Sequence, residues 1–355
     1  MKAIITAGKS SPPKPINYIQ NKHLIELGNT PLIFHALEQV AKSGIKDVGI
    51  IVEDGTQYIE KAVKNGGNFG LNITYIHQKG GPLGLAHAVY CAREFLGEEK
   101  FMVYLGDNIF DEDILAMRIN FENSGANCLL ALAKIPKPER FGVPEFDRQG
   151  KIIGIQERPI KPKSPYAVSG IYFYDKNVHK AFPHIKPSFR GIYEISDLHT
   201  WLAKNGYSVQ YLEIKNWWKD RGHPLDLLEG NAMVLNKLKA NNLGNVEPSV
   251  SIRGAVNIGK NTKIGGRTVI RGPVIIGEHC LIKNSYIGPY TSIGNKVEIH
   301  NGHIDHSIIY SGTSINTSKK IVDSLIGENT TISEAEHDTP AGNRLVVSEN
   351  SIIAL

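Results

Sequence analysis

The stretch IRGAVNIGKNTKIGGRTVIRGPVIIGEHCLIKNSYI, residues 252–287, decides the architecture of the second half of the chain. Its aliphatic residues recur at every sixth position: Ile252, Ile258, Ile264, Ile270, Ile276 and Ile282. The series begins upstream at Val246. Downstream the phase slips by one residue at each of Ile287, Ile304, Ile309 and Ile326, and the series runs on through Ile293, Ile299, Ile315, Ile321 and Ile332. Neither the helical nor the strand period produces this spacing. A hexad repeat does, because each hexad supplies one short strand whose aliphatic residue points into a coil, and three strands complete a turn. A β-sandwich with evenly spaced strands is the competing architecture, and chance registration of so many hexads disfavours it. Gly254, Gly259, Gly265, Gly272, Gly277, Gly288 and Gly294 are expected at the corners, where positive φ or close backbone approach is needed. Each turn buries its aliphatic residues only against its neighbours, so residues 333–355 are expected to cap an otherwise exposed end.

Before about residue 235 the period is different. KAIIT, VGIIV, NITYI and FMVYLGD read as strands, and PLIFHALEQVAKSG, TQYIEKAVKNG and LGLAHAVYCAREFLG as the helices between them. Such alternation predicts a Rossmann-like, mostly parallel sheet with helices on both faces, binding its ligand at the carboxyl ends of the strands. The expected organisation is an α/β domain over 1–240, a linker near 238–247 where Asn, Gly and Pro gather, and the coil over 246–355.

The bulk numbers exclude several classes. The 355 residues carry 40 Lys and Arg against 35 Asp and Glu, a net charge of +5, with 41% hydrophobic residues. That is the profile of a globular protein with a real core, not of a disordered chain, a collagen or a coiled coil. The charge is too mild and too dispersed for a nucleic-acid binder, and it is compatible with a small anionic substrate. No apolar run reaches membrane-spanning length, and MKAIITAG reads as a buried first strand rather than a signal peptide. Cys91, Cys128 and Cys280 show neither metal-ligand spacing nor a disulfide framework, so a reducing cytoplasm is expected.

Four stretches carry candidate chemistry. In YLGDNIF, residues 104–110, an apolar strand runs into Asp107, which is suited to a hard cation bridging phosphates and equally suited to capping the next helix. In WWKDRGHPLDLLEG, residues 217–230, Asp220 follows Trp217 and Trp218; two such carboxylates on separate strand ends, with substrate phosphates, can hold Mg²⁺. FGVPEFDRQGKIIGIQERP, residues 141–159, reads as a hairpin ending in Glu157 and Arg158. These two are either a polyol acceptor beside a phosphate clamp or a surface ion pair. In HQKGGPLGLAHAV, residues 77–89, the Gln78 amide offers a donor and an acceptor to a nucleobase edge, beside Gly80, Gly81 and Gly84, or else the stretch is a plain Gly-Pro turn.

In this order, the stretches resemble the sugar-phosphate nucleotidyltransferases, and most closely the long form of the glucose-1-phosphate thymidylyltransferases with a C-terminal left-handed β-helix. GNTPLIFHALEQVAKSGIKDVGIIV, GPLGLAHAV, YLGDNIF, FGVPEFDRQGKI, YAVSGIYFYD, IKPSFRG with EISD, and WWKDRGHPLDLLEGN carry the likeness over almost the whole chain. The resemblance implies a nucleotide-diphospho-sugar transferase fold that joins a nucleoside triphosphate, dTTP or UTP, to a sugar 1-phosphate such as glucose 1-phosphate and releases pyrophosphate. It implies Mg²⁺ on Asp107 and Asp220, and Lys22, in QNKHLIEL, on the phosphates. It places Gly8, Gln78, Gly84 and Asp107 with the nucleotide, Gly142, Glu157 and Val168 with the hexose, and Arg158 and Arg190 with the sugar phosphate. The coil is expected to serve assembly into a homo-oligomer, with neither nucleic acid nor membrane as partner.

The most consequential departure from the family pattern lies in the triphosphate loop. Where members carry G-G-x-G-T-R-L-x-P, this chain has Ala7, Gly8, Lys9, Ser10, Ser11, Pro12, Pro13, Lys14 and Pro15, with Pro12 at the arginine's place. Proline has no N–H to offer a phosphate. Two further readings therefore stand beside the enzyme: a silent paralogue that binds nucleotide or sugar phosphate as a regulatory subunit, and an acyltransferase working through His300, His303 and His306 of the coil.

Overall fold

The computed structural model describes residues 1–8, 21–55, 57–215, 217–219 and 225–334, with the backbone alone for 217–219. Residues Lys9 to Pro15 and Asp220, and the expected cap from 335 onward, lie outside the described residues. The described residues divide into two compact units. One comprises 1–8, Asn21–Leu24 and Leu32–Lys219; the other comprises Ile25–Pro31 and 225–334.

The first unit is built on a seven-stranded sheet. Its elements follow in chain order: β1 (Lys2–Thr6), α1 (Leu32–Lys42), β2 (Asp47–Val52), α2 (Tyr58–Val63), β3 (Asn72–His77), α3 (Leu85–Cys91) and β4 (Phe101–Leu105). Then come β5 (Asn108–Phe110), α4 (Ile114–Ser124), β6 (Cys128–Lys134), β7 (Gly142–Phe146), β8 (Ile152–Glu157), β9 (Tyr166–Tyr174), α5 (Ile195–Lys204), β10 (Val209–Ile214) and β11 (Trp217–Lys219). The sheet order is β10-β6-β9-β4-β1-β2-β3. β9 alone runs antiparallel to its neighbours β4 and β6, while β1 pairs in parallel with both β2 and β4. Every residue of β4 is buried, as expected of a central strand covered on both faces. Cores lie on the two faces, one around Ile5, Leu37, Ile50, Tyr104 and Phe173, the other around Ile4, Val103, Leu130, Tyr174 and Leu202. α1 turns Leu32, Ile33, Ala36, Leu37 and Val40 inward, the stripe its sequence predicts. The stretch expected as one helix from 84 onward pauses at Ala92 and resumes over Arg93–Leu96.

The second unit is the hexad coil, a left-handed β-helix of three parallel sheets. One sheet stacks Val246, Ile264, Ile282, Ile299, Ile315 and Ile332, each paired with the next. The inward residues Ile270, Ile282, Ile287, Ile293, Ile299, Ile304 and Ile315 are fully buried, each contributing ~1.5–3 kcal/mol relative to an exposed side chain. One sequence expectation is corrected here, and the two alternatives offered for the corner glycines are resolved largely in favour of close approach. Residues 241–246 are not a linker, because Asn241–Asn242 and Asn245–Val246 already pair as the coil's first strands. Of the seven corner glycines only Gly254 has positive φ, and the left-handed corners are held instead by Asn261, His279, Asn284, Lys296, Asn301 and others. The remaining glycines serve close stacking: a β-carbon on Gly259 would stand 2.6 Å from the backbone of Gly277.

The hairpin of Glu26–Leu27 and Thr30–Pro31 and helix α6 (Asp226–Leu235) belong to the same unit as the coil. Fully buried Asn231 joins them, accepting from Gly28 N at 2.9 Å and from Ser292 Oγ at 2.6 Å, and donating to the carbonyl of Tyr290 at 3.0 Å.

Candidate active site

The site residues Gly8, Gln78 and Asp107 stand at the carboxyl ends of β1, β3 and β4, and Gly142 and Glu157 on the β7–β8 hairpin. Because β2 and β4 flank β1 on opposite sides, the end of β1 is a topological switch point, where open α/β sheets bind ligands.

Asp107 sits in the turn between β4 and β5 and is 6% exposed. It does not cap the helix that follows: Asp113 does, accepting from Ala116 N at 3.0 Å. The Asp107 carboxylate takes a 2.6 Å hydrogen bond from Asn108 Nδ2 on one oxygen and pairs with Lys22 Nζ on the other. Lys22 lies in the short helical turn Lys22–Leu24. Within β5 and β11, Asn108 pairs with Lys219, the residue before Asp220.

At the end of β3, buried Gln78 donates from Nε2 to the carbonyl of Gly84 at 3.3 Å and stands 3.0 Å from His87 Nδ1. Its Oε1 lies 3.8 Å from where a β-carbon on Gly8 would stand. The base-edge reading of Gln78 as donor and acceptor together is corrected, because the protein itself consumes the donor side. Gly84 has φ +104°, and a β-carbon there would meet the Tyr193 backbone at 2.5 Å, so this glycine secures loop packing.

Glu157 closes β8 opposite Gly142 of β7. Its Oε2 accepts from Ser196 Oγ at 2.7 Å, and its Oε1 lies 3.4 Å from Arg190 Nη2. Arg190 is gripped by Glu194 through Nε at 3.0 Å and Nη2 at 2.8 Å. Arg158 is 60% exposed, with Nε 3.7 Å from Glu157. Val168 is buried on β9, where the pairing with β6 becomes irregular. Tyr172 is buried, which is what mainly raises its phenol pKa; the charges of Glu157 and Asp107 and then Cys128 raise it further.

The structure thus gathers Gly8, Gln78 and Gly84, then Lys22 and Asp107, then Gly142, Glu157, Arg158 and Arg190. Sequence reasoning missed Ser196, Glu194 and His87. Each acts through another side chain rather than through a motif of its own, although EISD, residues 194–197, carried a signal in the likeness. The coil histidines do not converge: His300 and His303 lie on strands of different sheets, and His306 sits at a left-handed corner, 2.5 Å from Asp323.

The Nucleotidyl transferase family matches residues 2–237, and the Bacterial transferase hexapeptide (six repeats) family matches 255–285. The chain belongs to the nucleotidyl transferase family. It is 37% identical to a glucose-1-phosphate thymidylyltransferase of Streptomyces antibioticus, covering 100% of this chain and 99% of the relative. It is 36% identical to the low-salt glycan biosynthesis nucleotidyltransferase Agl11 of Haloferax volcanii, covering 99% of each. Among solved structures, a Bacillus anthracis protein described as a candidate glucose-1-phosphate thymidylyltransferase, in complex with a sucrose, matches with TM-score 0.61 and 35% identity. The match covers 68% of this chain and 97% of that one.

Nucleotidyltransferases of this family generally use a divalent metal. Among the described residues no three His, Cys, Asp or Glu converge to hold a metal alone. The single buried carboxylate of Asp107 still fits a hard cation that draws its other ligands from water and substrate phosphates. No helix among the described residues is long and apolar enough to cross a membrane.

Proposed function

We propose that this chain joins a nucleoside triphosphate, dTTP or UTP, to glucose 1-phosphate, releasing pyrophosphate. The observation that carries this reading is the pairing of Lys22 with buried Asp107 at the switch point. An oxygen of the sugar phosphate forms the bond to the α-phosphorus, and the bond from that phosphorus to the pyrophosphate oxygen breaks. Pyrophosphate leaves with the electron pair. The attacking oxygen is already anionic, so no base is required, and positioning with charge neutralisation carries the catalysis.

Lys22 neutralises phosphate charge near the reacting centre. Glu157, fixed by Ser196, accepts from hexose hydroxyls, while Arg158 and Arg190 hold the sugar phosphate. Asp107 and Asp220 hold Mg²⁺, which supplies charge neutralisation on the phosphates. Residues 1–240 carry the reaction and 246–355 serve assembly of a homo-oligomer.

Pyrophosphate release from dTTP or UTP with glucose 1-phosphate and Mg²⁺ tests this reading, and Asp107→Asn should abolish it. Saturable binding of nucleotide without turnover would select the regulatory reading instead, to which Pro12 and Pro13 lend weight because neither offers an N–H to a phosphate.

A further inference from the structure

We infer that His87 sets which bases this site accepts, by holding the Gln78 amide so that only its oxygen faces the base. The inference rests on the base pocket of the proposed function and names what that pocket reads.

The orientation follows from the partners. The carbonyl of Gly84 can only accept, so the amide atom 3.3 Å from it must be the nitrogen. The second hydrogen of that nitrogen points to His87 Nδ1 at 3.0 Å. Nδ1 must then carry the lone pair, which makes His87 the neutral tautomer protonated on Nε2. That nitrogen in turn stands 3.5 Å from Cys91 Sγ, a weak acceptor. The ring is held against Tyr193 and Phe182, with centroids at 6.3 and 5.9 Å. Burial lowers the His87 pKa, in keeping with a neutral ring.

Both amide hydrogens are therefore committed inside the protein. What remains of Gln78 is Oε1, which faces Gly8 at the end of β1. A lone acceptor pairs with the N3–H of uracil or thymine. Cytosine presents a lone pair at N3 and is repelled there. An amide free to rotate would serve both, by turning its nitrogen toward cytosine.

The test measures equilibrium binding of UTP, dTTP and CTP by calorimetry to the full-length wild type, His87→Leu and His87→Asn. Leucine removes the acceptor and frees the amide; asparagine restores an oxygen close to the position of Nδ1. Wild type should favour UTP and dTTP over CTP, His87→Leu should lose about tenfold of that ratio, as expected for one hydrogen bond, and His87→Asn should recover most of it. A merely structural role for His87 would weaken all three nucleotides alike. An unchanged ratio in His87→Leu, a loss that asparagine does not restore, or wild-type binding of CTP as tight as UTP would overturn the inference. Because the readout is binding, absence of turnover would count against the proposed reaction alone.

Discussion

The hydroxyl of Ser196 donates to Glu157 Oε2 at 2.7 Å, and it reaches that position only because residue 142 is glycine: a β-carbon there would stand 2.7 Å from the same hydroxyl. Gly142→Ala should push Ser196 aside and release one of the bonds that aim Glu157. The expected result is a KM for sugar phosphate raised about tenfold, as for one lost hydrogen bond, with the KM for nucleotide unchanged. Equal rises in both would show that the substitution damages the site generally.

Lys22 and Asp107 form an ion pair in which neither side chain is more than about a fifth exposed, at 18% and 9%. Lys22→Met should lower kcat about 10²–10³-fold, the usual cost of one group that stabilises charge in the transition state. It also leaves a buried carboxylate with one partner fewer, so thermal stability should fall, by ~1–3 kcal/mol. Lys22→Arg keeps the charge and should recover the stability more fully than the rate, because a guanidinium does not reproduce the ammonium's geometry. Full activity in Lys22→Met would remove Lys22 from the mechanism.

Much of the fold was legible because its causes are local and periodic. The stripe of α1, the fully apolar β4 and the hexads of the coil each repeat one physical requirement many times, so single exceptions do not hide it. The corners were less legible, since Asn, His and Lys adopt left-handed φ there without any composition signal, while the glycines serve stacking between turns. Single contacts also decide Asn231, Ser196 and His87, whose partners lie far away in the chain or on the next helical turn. The ambiguity of Asp107 between helix cap and site was resolved only by seeing Asp113 take the cap.

His199 introduces a pH dependence unrelated to the site. It is fully buried, its Nε2 is hydrogen-bonded with the Tyr174 hydroxyl at 2.5 Å, and its Nδ1 is buried without a hydrogen-bond partner among the described residues. Burial lowers its pKa from 6.5 to about 3. Between those values the unfolded chain binds a proton that the native state refuses, so stability falls with falling pH, by up to ~1.4 kcal/mol per unit from this residue. Above pH 6.5 its contribution is constant. Urea midpoints from pH 8 to 5 for wild type and His199→Phe should converge on acidification, the variant starting lower because Tyr174 loses its partner, by ~1–3 kcal/mol. Parallel profiles would mean that burial leaves the His199 pKa at its unfolded value.

The coil should reveal its stacking through position as well as residue type. Ile299 is fully buried between Ile282 and Ile315, whereas Ile252, in the first turn, is 38% exposed and has a turn beneath it on one side only, at Ile270. Both are isoleucines at the same place in the hexad, so a transfer term set by residue type would make their truncation cost the same. Ile299→Ala instead removes contacts with two turns and opens a cavity that the closely stacked strands cannot collapse, which should cost ~2–5 kcal/mol. Ile252→Ala acts at an end with one neighbouring turn and a partly wet side chain, and should cost about 1 kcal/mol. Urea unfolding followed by far-ultraviolet circular dichroism, with the slope checked for constancy, separates the two. Equal losses would mean that the coil unfolds as a single block in which the end turn is as well supported as the middle.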